Sequence, residues 1–367
     1  MALINMVSAV AGLIKVRYLI DKAIIDNIVF RCHYRITSAL LFVCCIIVTA
    51  NNLIGDPITC VHDNSISRHI INNYCWITYT FSMPDHYNRS VGSHVPHPGV
   101  APDLGEKRYH SYYQWVPFVL FFQGVLFYFP HFLWKSWEEG KIRMISDGLR
   151  GTVLGLKEQR LKRQGQIVNY LVDSLNLHNF YAFGYYFSEI LNFINVVCNI
   201  IFLDLFFGGS FLTYGFDVIK FSNMNQEQRF DPMVAVFPRV TKCTFHKFGP
   251  SGSLQKHDTL CVLALNILNE KIFILVWFWF VALAFISALA VIYSLILILL
   301  PSSREFVFRK RFRYGTESGI STLVRKTQIG DFLVLHLLSQ NLNYVIFSEI
   351  LDEIISRLNI ESRSTPS

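Results

Sequence analysis

Residues 272–300, IFILVWFWFVALAFISALAVIYSLILILL, run 29 positions without a charged side chain and stop at Pro301. At 1.5 Å per residue that is a helix of about 43 Å, long enough to cross a ~30 Å hydrocarbon core and project beyond it. No water satisfies peptide groups inside lipid, so a chain of this kind must make its hydrogen bonds internally, as a helix. The run predicts a membrane-spanning helix. Composition points the same way: 52% of residues are hydrophobic and 16% charged, where soluble chains carry about 25% charge. The bilayer is therefore the solvent that governs the rest of the reading.

Three further spans follow. Residues 36–54 are uncharged between Arg35 and Asp56. Residues 116–134 are uncharged and are bordered by Trp115 on one side and by Trp134, Lys135 and Trp137 on the other, as interfacial belts are. Residues 181–207 are apolar but carry Glu189, Asn192, Asn195, Asn199 and Asp204. The first four of these lie three, three and four apart, on one helical face, which cannot meet lipid. Interhelical hydrogen bonding and a polar wall beside a water-filled path both fit that face.

Four spans place both ends of the sequence on one side, together with 135–180, and the loops 55–115 and 208–271 on the other. The first group (1–35, 135–180, 301–367) carries 22 Lys and Arg in 148 residues, against 11 in 125 for the two loops. The positive-inside rule then makes both termini cytoplasmic. Cysteine usage agrees. Of eight, Cys60 and Cys75 fall in one exofacial loop and Cys243 and Cys261 in the other, while the cytoplasmic loop 135–180 and the segment 301–367 have none. Four cysteines facing an oxidising compartment read as two disulfides. Cys60 and Cys261 lie near the ends of their spans, and Cys75 and Cys243 lie farther out. Of the three connectivities, nested pairing of Cys60 with Cys261 and Cys75 with Cys243 suits those positions best. Cys243-x2-His246 and His257-x3-Cys261 also have zinc-ligand spacing, but the compartment favours disulfides.

The first fourteen residues, MALINMVSAVAGLI, lack a positive residue ahead of their apolar run and do not read as a signal peptide. Their stripe of Leu3, Met6, Val7, Val10, Leu13 and Ile14 fits an amphipathic segment lying on the membrane or folded into a pore mouth. Residues 138–180 and 317–360 read as helices of a cytoplasmic cap, with 361–367 as a loose tail. Residues 332–338 are apolar but too short to span. There is no Gly-rich phosphate loop and no Ser/His/Asp spacing, and the two carboxylates of one span, Glu189 and Asp204, are fifteen residues apart and at different depths, so the sequence does not read as an enzyme. No cofactor, metal or nucleic acid is expected. Asn88-Arg89-Ser90 is a glycosylation sequon in the first exofacial loop, and Asn88 is its acceptor.

From end to end the chain resembles the innexins, the invertebrate gap-junction proteins. The most specific marker is Tyr112-Tyr113-Gln114-Trp115, leading into the second span. Beside it stand Gly55-Asp56-Pro57-Ile58, Tyr74-Cys75-Trp76-Ile77, Lys242-Cys243-Thr244-Phe245-His246 with Gly249-Pro250-Ser251-Gly252, and Asn269-Glu270-Lys271-Ile272 before Trp277-Phe278-Trp279-Phe280. Residues 31–35 and 48–52 look most like one insect subtype of that family. The resemblance implies an all-α membrane protein: a four-helix subunit of a ring-shaped large-pore channel, with a small disulfide-bonded extracellular α/β part and a cytoplasmic helical cap. It implies eight copies around an axis, docking with a like assembly of the neighbouring cell, other innexins as partners, and membrane lipids around the ring. It places Ala2, Leu3, Asn5 and Met6, with Asn51, Asn52 and Asp56, along the pore. Phe245, His246, Gly249, Pro250, Ser251 and Gly252 fall in a docking loop, where the Gly-Pro-Ser-Gly turn has an equally plain structural role. An undocked hemichannel, as in the related pannexins, and a pore-free adhesion protein are the alternatives.

Overall fold

A computed structural model describes residues 23–61, 66–87, 89, 91–102, 105–149, 157–222, 231–311 and 317–364. Four of its helices are long and apolar enough to cross a membrane: α1 (Ile28–Ile54), α3 (Val116–Glu138), α6 (Asn179–Phe206) and α9 (Ala264–Leu299). Each is longer than its apolar run, because a helix stops at a breaker or a cap rather than where hydrophobicity ends. The shorter elements are α2 (Arg68–Ile77), α4 (Lys141–Ser146), α5 (Lys157–Asp173), α7 (Phe211–Ser222), α8 (Pro232–Val236), α10 (Pro301–Arg311), α11 (Glu317–Lys326), α12 (Ile329–Asn341) and α13 (Tyr344–Ser364). The strands are β1 (Thr59–Val61), β2 (Thr80–Ser82), β3 (Arg108–His110), β4 (Val240–Phe248) and β5 (Leu254–Val262). The chain divides into two compact units, 32–129 with 192–288 and 1–31 with 130–191 and 289–367.

The first is the sheet unit. Its five strands lie in the order β1-β5-β4-β2-β3, with every pairing antiparallel. β4 and β5 form a hairpin with Phe248 opposite Leu254, so 249–253 make the turn. Gly249 N–H donates to Ser253 O at 2.8 Å and Gly252 N–H to Gly249 O at 2.9 Å. Gly252 has φ +78°, a left-handed conformation that glycine enters without strain. In the same unit Phe207, Phe211, Phe237 and Phe273 are buried together, with Phe207–Phe273 ring centroids 4.8 Å apart and Phe237–Phe273 5.5 Å apart. In α1 the stretch Cys32–Thr37 is a π-helix. Thr37 Oγ1 donates to Cys32 O at 3.0 Å and accepts from Trp279 Nε1 at 2.8 Å, while His33 Nε2 and Ser287 Oγ lie 2.7 Å apart. Side chains of α9 thus hold the widened turn of α1, which an isolated helix would close to the α form.

The second is the helical unit, built around α12. Residues 330–335 and 337–339 of α12 are all buried, so the short apolar run at 332–338 is a core helix. Its N-terminus is locked by Asp331. That carboxylate accepts from Asn176 N–H at 2.9 Å and Gln328 N–H at 3.3 Å and lies 2.9 Å from His178 Nδ1. α13 continues through Ser364, four residues into the stretch expected as a tail. Nothing in Glu361-Ser362-Arg363-Ser364 breaks a helix, and the first breaker is Pro366.

Candidate functional site

The Tyr-Tyr-Gln-Trp motif forms a 3-10 turn, Tyr112–Gln114, directly before α3. Three successive side chains reach three different places. Tyr112 Oη donates to Val236 O at 3.1 Å, Tyr113 Oη donates to Cys75 O at 3.2 Å, and Gln114 Nε2 donates to Trp76 O. Tyr113 also stacks on Trp76 with centroids 4.7 Å apart. Burial pushes the Tyr113 hydroxyl up to about 12, so it stays a neutral donor. The motif therefore ties the mouth of the second span to the C-terminal turn of α2 and the end of α8, and Trp115, 60% exposed, is left for the membrane interface.

Two disulfides brace the region. Cys60 of β1 faces Cys261 of β5 with Cα atoms 3.9 Å apart, and Cys75 of α2 joins Cys243 of β4 with Cα atoms 6.0 Å apart. All four half-cystines are buried, in one cluster with Ile58, Ile71, Tyr113 and Leu263. Both bonds run between the loops. The Cys/His set with zinc-like spacing does not converge. His246 sits opposite Lys256 and His257 opposite Phe245, on alternate faces of the hairpin, and both cysteines are bonded elsewhere. Among the described residues the one group close enough for a metal is Cys60, Cys75 and Cys261, whose sulfurs are already disulfide sulfurs rather than thiolates.

At the hairpin, Phe245 is half-buried and packs edge-on against Tyr74, centroids 4.9 Å apart. His246, Pro250, Ser251 and Gly252 are exposed, and Gly249 is partly covered. The sequence reading passed over Phe248 and Leu254. They are a cross-strand pair at the tip, 76% and 66% exposed. Period-two alternation counted outward from the turn 249–253 would have paired them.

Of the residues expected along the pore, Asn51, Asn52 and Asp56 come together at the C-terminal end of α1, where Asn51 O accepts the N–H of Gly55 at 3.0 Å. Asn51 and Asp56 are exposed. Asn52 lies with Cys45, Thr49, Pro117, Phe118 and Trp76 along a cavity of about 720 Å³. Ala2, Leu3, Asn5, Met6 and Asn88 lie outside the described residues.

Asn269-Glu270-Lys271 begins the span portion of α9. Glu270 is fully buried and is neutralised by Arg239 Nη2 at 2.8 Å and Lys271 Nζ at 2.7 Å. Asn266 Nδ2 donates to Pro238 O at 2.8 Å, so the approach to β4 is fixed from α9. In the polar face of α6, Glu189 accepts from Asn27 Nδ2 at 2.6 Å and from Ser294 Oγ. Asn199 Nδ2 donates to Asn195 O at 2.8 Å, while both amide atoms of buried Asn192 have no hydrogen-bond partner among the described residues.

Residues 26–358 match the family model described as Innexin. The chain belongs to the innexin family. Over its full length it is 60% identical to innexin inx3 of Drosophila melanogaster, covering 93% of that protein. It is 44% identical to innexin inx2 of Schistocerca americana across 95% of this chain and 97% of that one. It is 42% identical to innexin shaking-B of Drosophila melanogaster across 91% of this chain. This innexin is a gap-junction channel subunit and not an enzyme, a multi-pass protein of plasma-membrane junctions that works as an oligomer.

Proposed function

We propose that eight copies of this innexin form a ring and that two rings dock across the gap between cells. In this reading both termini are cytoplasmic, loops 55–115 and 208–271 project outward, and Ala2, Leu3, Asn5 and Met6 with Asn51, Asn52 and Asp56 line the ion path. The excess of Lys and Arg outside those two loops supports the orientation. The observation that carries docking is the tip of the β4–β5 hairpin. A cross-strand pair of large apolar side chains stands exposed at the end of a hairpin braced by two disulfides. Such a pair is stabilised when another protein surface covers it, and rigid loops lose little entropy on docking. The like hairpin of an opposed innexin, of this or another subtype, is the partner. Exposed Phe202, Leu205, Phe285 and Ile292 on α6 and α9 meet lipid tails.

The test is small-dye transfer between paired cells expressing the protein, alone and with a second innexin, beside dye uptake by single cells at low external calcium. Transfer is expected. Uptake without transfer in every pairing would make the protein an undocked hemichannel, and adhesion with neither would remove the pore.

A further inference from the structure

Residues 24–27, which lead into α1, are gripped one after another by the helical unit. Ile24 meets Asn341 at the C-terminal end of α12. Its N–H donates to Asn341 Oδ1 at 2.7 Å and its C=O accepts from Asn341 Nδ2 at 2.7 Å. One side-chain amide thus reads both polar groups of one residue, as a neighbouring strand would. Asn341 Nδ2 also donates to Leu337 O at 2.8 Å, which fixes the amide on its own helix. Next, Ile25 C=O accepts from Trp134 Nε1 of α3 at 3.0 Å. Asp26 is 3% exposed and takes the guanidinium of Arg31 at 2.6 Å, with His131 Nδ1 at 3.7 Å. Asn27 Nδ2 donates to Glu189 of α6, whose other oxygen accepts from Ser294 of α9.

The strap passes into α1 without a spacer. Asn27 Oδ1 accepts the N–H of Phe30 at 2.7 Å, which caps the first turn of the helix. A displacement of Ile24 is therefore carried into the start of α1 by hydrogen-bonded backbone. At the other end, Asn341 belongs to α12, nine of whose residues are buried, so it moves with that helix rather than by itself.

We propose that Asn341 is a positioning residue of the channel. It couples α12, and with it the helices 317–364, to the first spanning helix, so that rearrangement of those helices changes the fraction of open pores. The inference rests on the reading that α1 contributes to the ion path. It concerns regulation of that path from a site 317 residues away in sequence. A merely structural Asn341 would affect how much channel is made, whereas a coupling Asn341 alters the balance between closed and open channels at equal amounts.

The experiment compares Asn341→Ala, Asn341→Asp and Asn341→Gln in paired cells. It reads steady-state open fraction against junctional voltage, with unitary conductance and surface amount as controls. Wild-type currents in the same cells establish the channel first, so a change confined to the variants bears on coupling alone. Asn341→Asp still accepts from Ile24 N–H but cannot donate to its C=O. It and Asn341→Ala should shift the closed-to-open ratio about tenfold at unchanged unitary conductance. Asn341→Gln should stay nearer wild type. An unchanged ratio in the alanine and aspartate variants at normal surface amount overturns the proposal. Should those variants fail to reach the surface, the pair Ile24→Cys with Asn341→Cys decides. The two thiols are oxidised to the disulfide by an oxidant applied to the cytoplasmic face, which takes up their two electrons, because the cytosol keeps them reduced. A bridge that freezes the open fraction and is released by reductant supports the coupling, and a bridge without effect on gating, or no bridge in the presence of that oxidant, refutes it.

Discussion

Cys60 and Cys261 stand directly opposite one another in the β1–β5 ladder and are bonded across 201 residues of chain, Cα to Cα 3.9 Å. With Cys75–Cys243 nested inside, opening this bond frees an effective loop of roughly 35 residues, which in the chain-entropy account is worth about 4 kcal/mol. That is a large part of a domain's net stability. Cys60→Ser and Cys261→Ser should therefore cause equal losses of surface protein, and the double variant should be little worse than either. Non-reducing peptide mapping that linked Cys60 to Cys75 would contradict the basis of this prediction.

Gly330 is the first close neighbour of the His178–Asp331 pair. A Cβ there would lie 2.3 Å from the carbonyl carbon of His178 and 2.4 Å from its oxygen, both backbone atoms that cannot step aside. Gly330→Ala should lower stability by about 3 kcal/mol, in the range of overpacking and of a disturbed buried pair. Gly165→Ala is the control. Its Cβ meets nothing within 4 Å among the described residues, so the change should be neutral or slightly stabilising by helix propensity. Thermal melting of the detergent-purified protein reads both, and equal midpoints for the two variants would contradict the argument.

His110 is buried beside Ser82, Oγ to Nε2 2.6 Å, and Ser82 Oγ in turn meets Tyr87 Oη at 2.5 Å. Burial, helped by Arg108, pushes its pKa down to about 3. The folded value lies below the unfolded one near 6.5, so the unfolded chain binds the extra proton between those limits. Stability from this group is complete above pH 6.5 and declines as the pH falls toward 3. Between pH 7.5 and 5 the loss should be about 2 kcal/mol. Melting at the two pH values checks it, and His110→Gln should flatten the difference. A slope that persists in the variant would assign it to other groups.

Phe248 and Leu254 carry the docking reading. Phe248→Asp or Leu254→Asp should abolish dye transfer between paired cells and leave single-cell uptake and surface amount unchanged, because neither side chain supports the fold. Phe245→Ala, by contrast, removes the edge-on contact with Tyr74 and should lower stability by about 1 to 2 kcal/mol. If transfer survives in both aspartate variants, the tip is not the docking contact.

Much of this protein is legible without coordinates. Uncharged runs such as 272–300 declare spanning helices because lipid leaves the backbone no other solution. The distribution of Lys and Arg among the connecting segments suggests an orientation, and the placement of four cysteines in two loops announces covalent bracing. These are properties of single segments, written in local composition and period. The contacts that tune the molecule are of another kind. Asn341 has no periodic signal that points to Ile24. Nor does the sequence near Cys32 say that Trp279 will hold a π turn open, or that Phe245 will turn to Tyr74 while Phe248 faces water. Each depends on one side chain meeting a group far away in sequence, at hydrogen-bond or ring-contact distance. Only the tertiary packing decides which of many compatible partners lies within that reach, since hydrophobic pattern specifies what is removed from water or lipid but not what it touches.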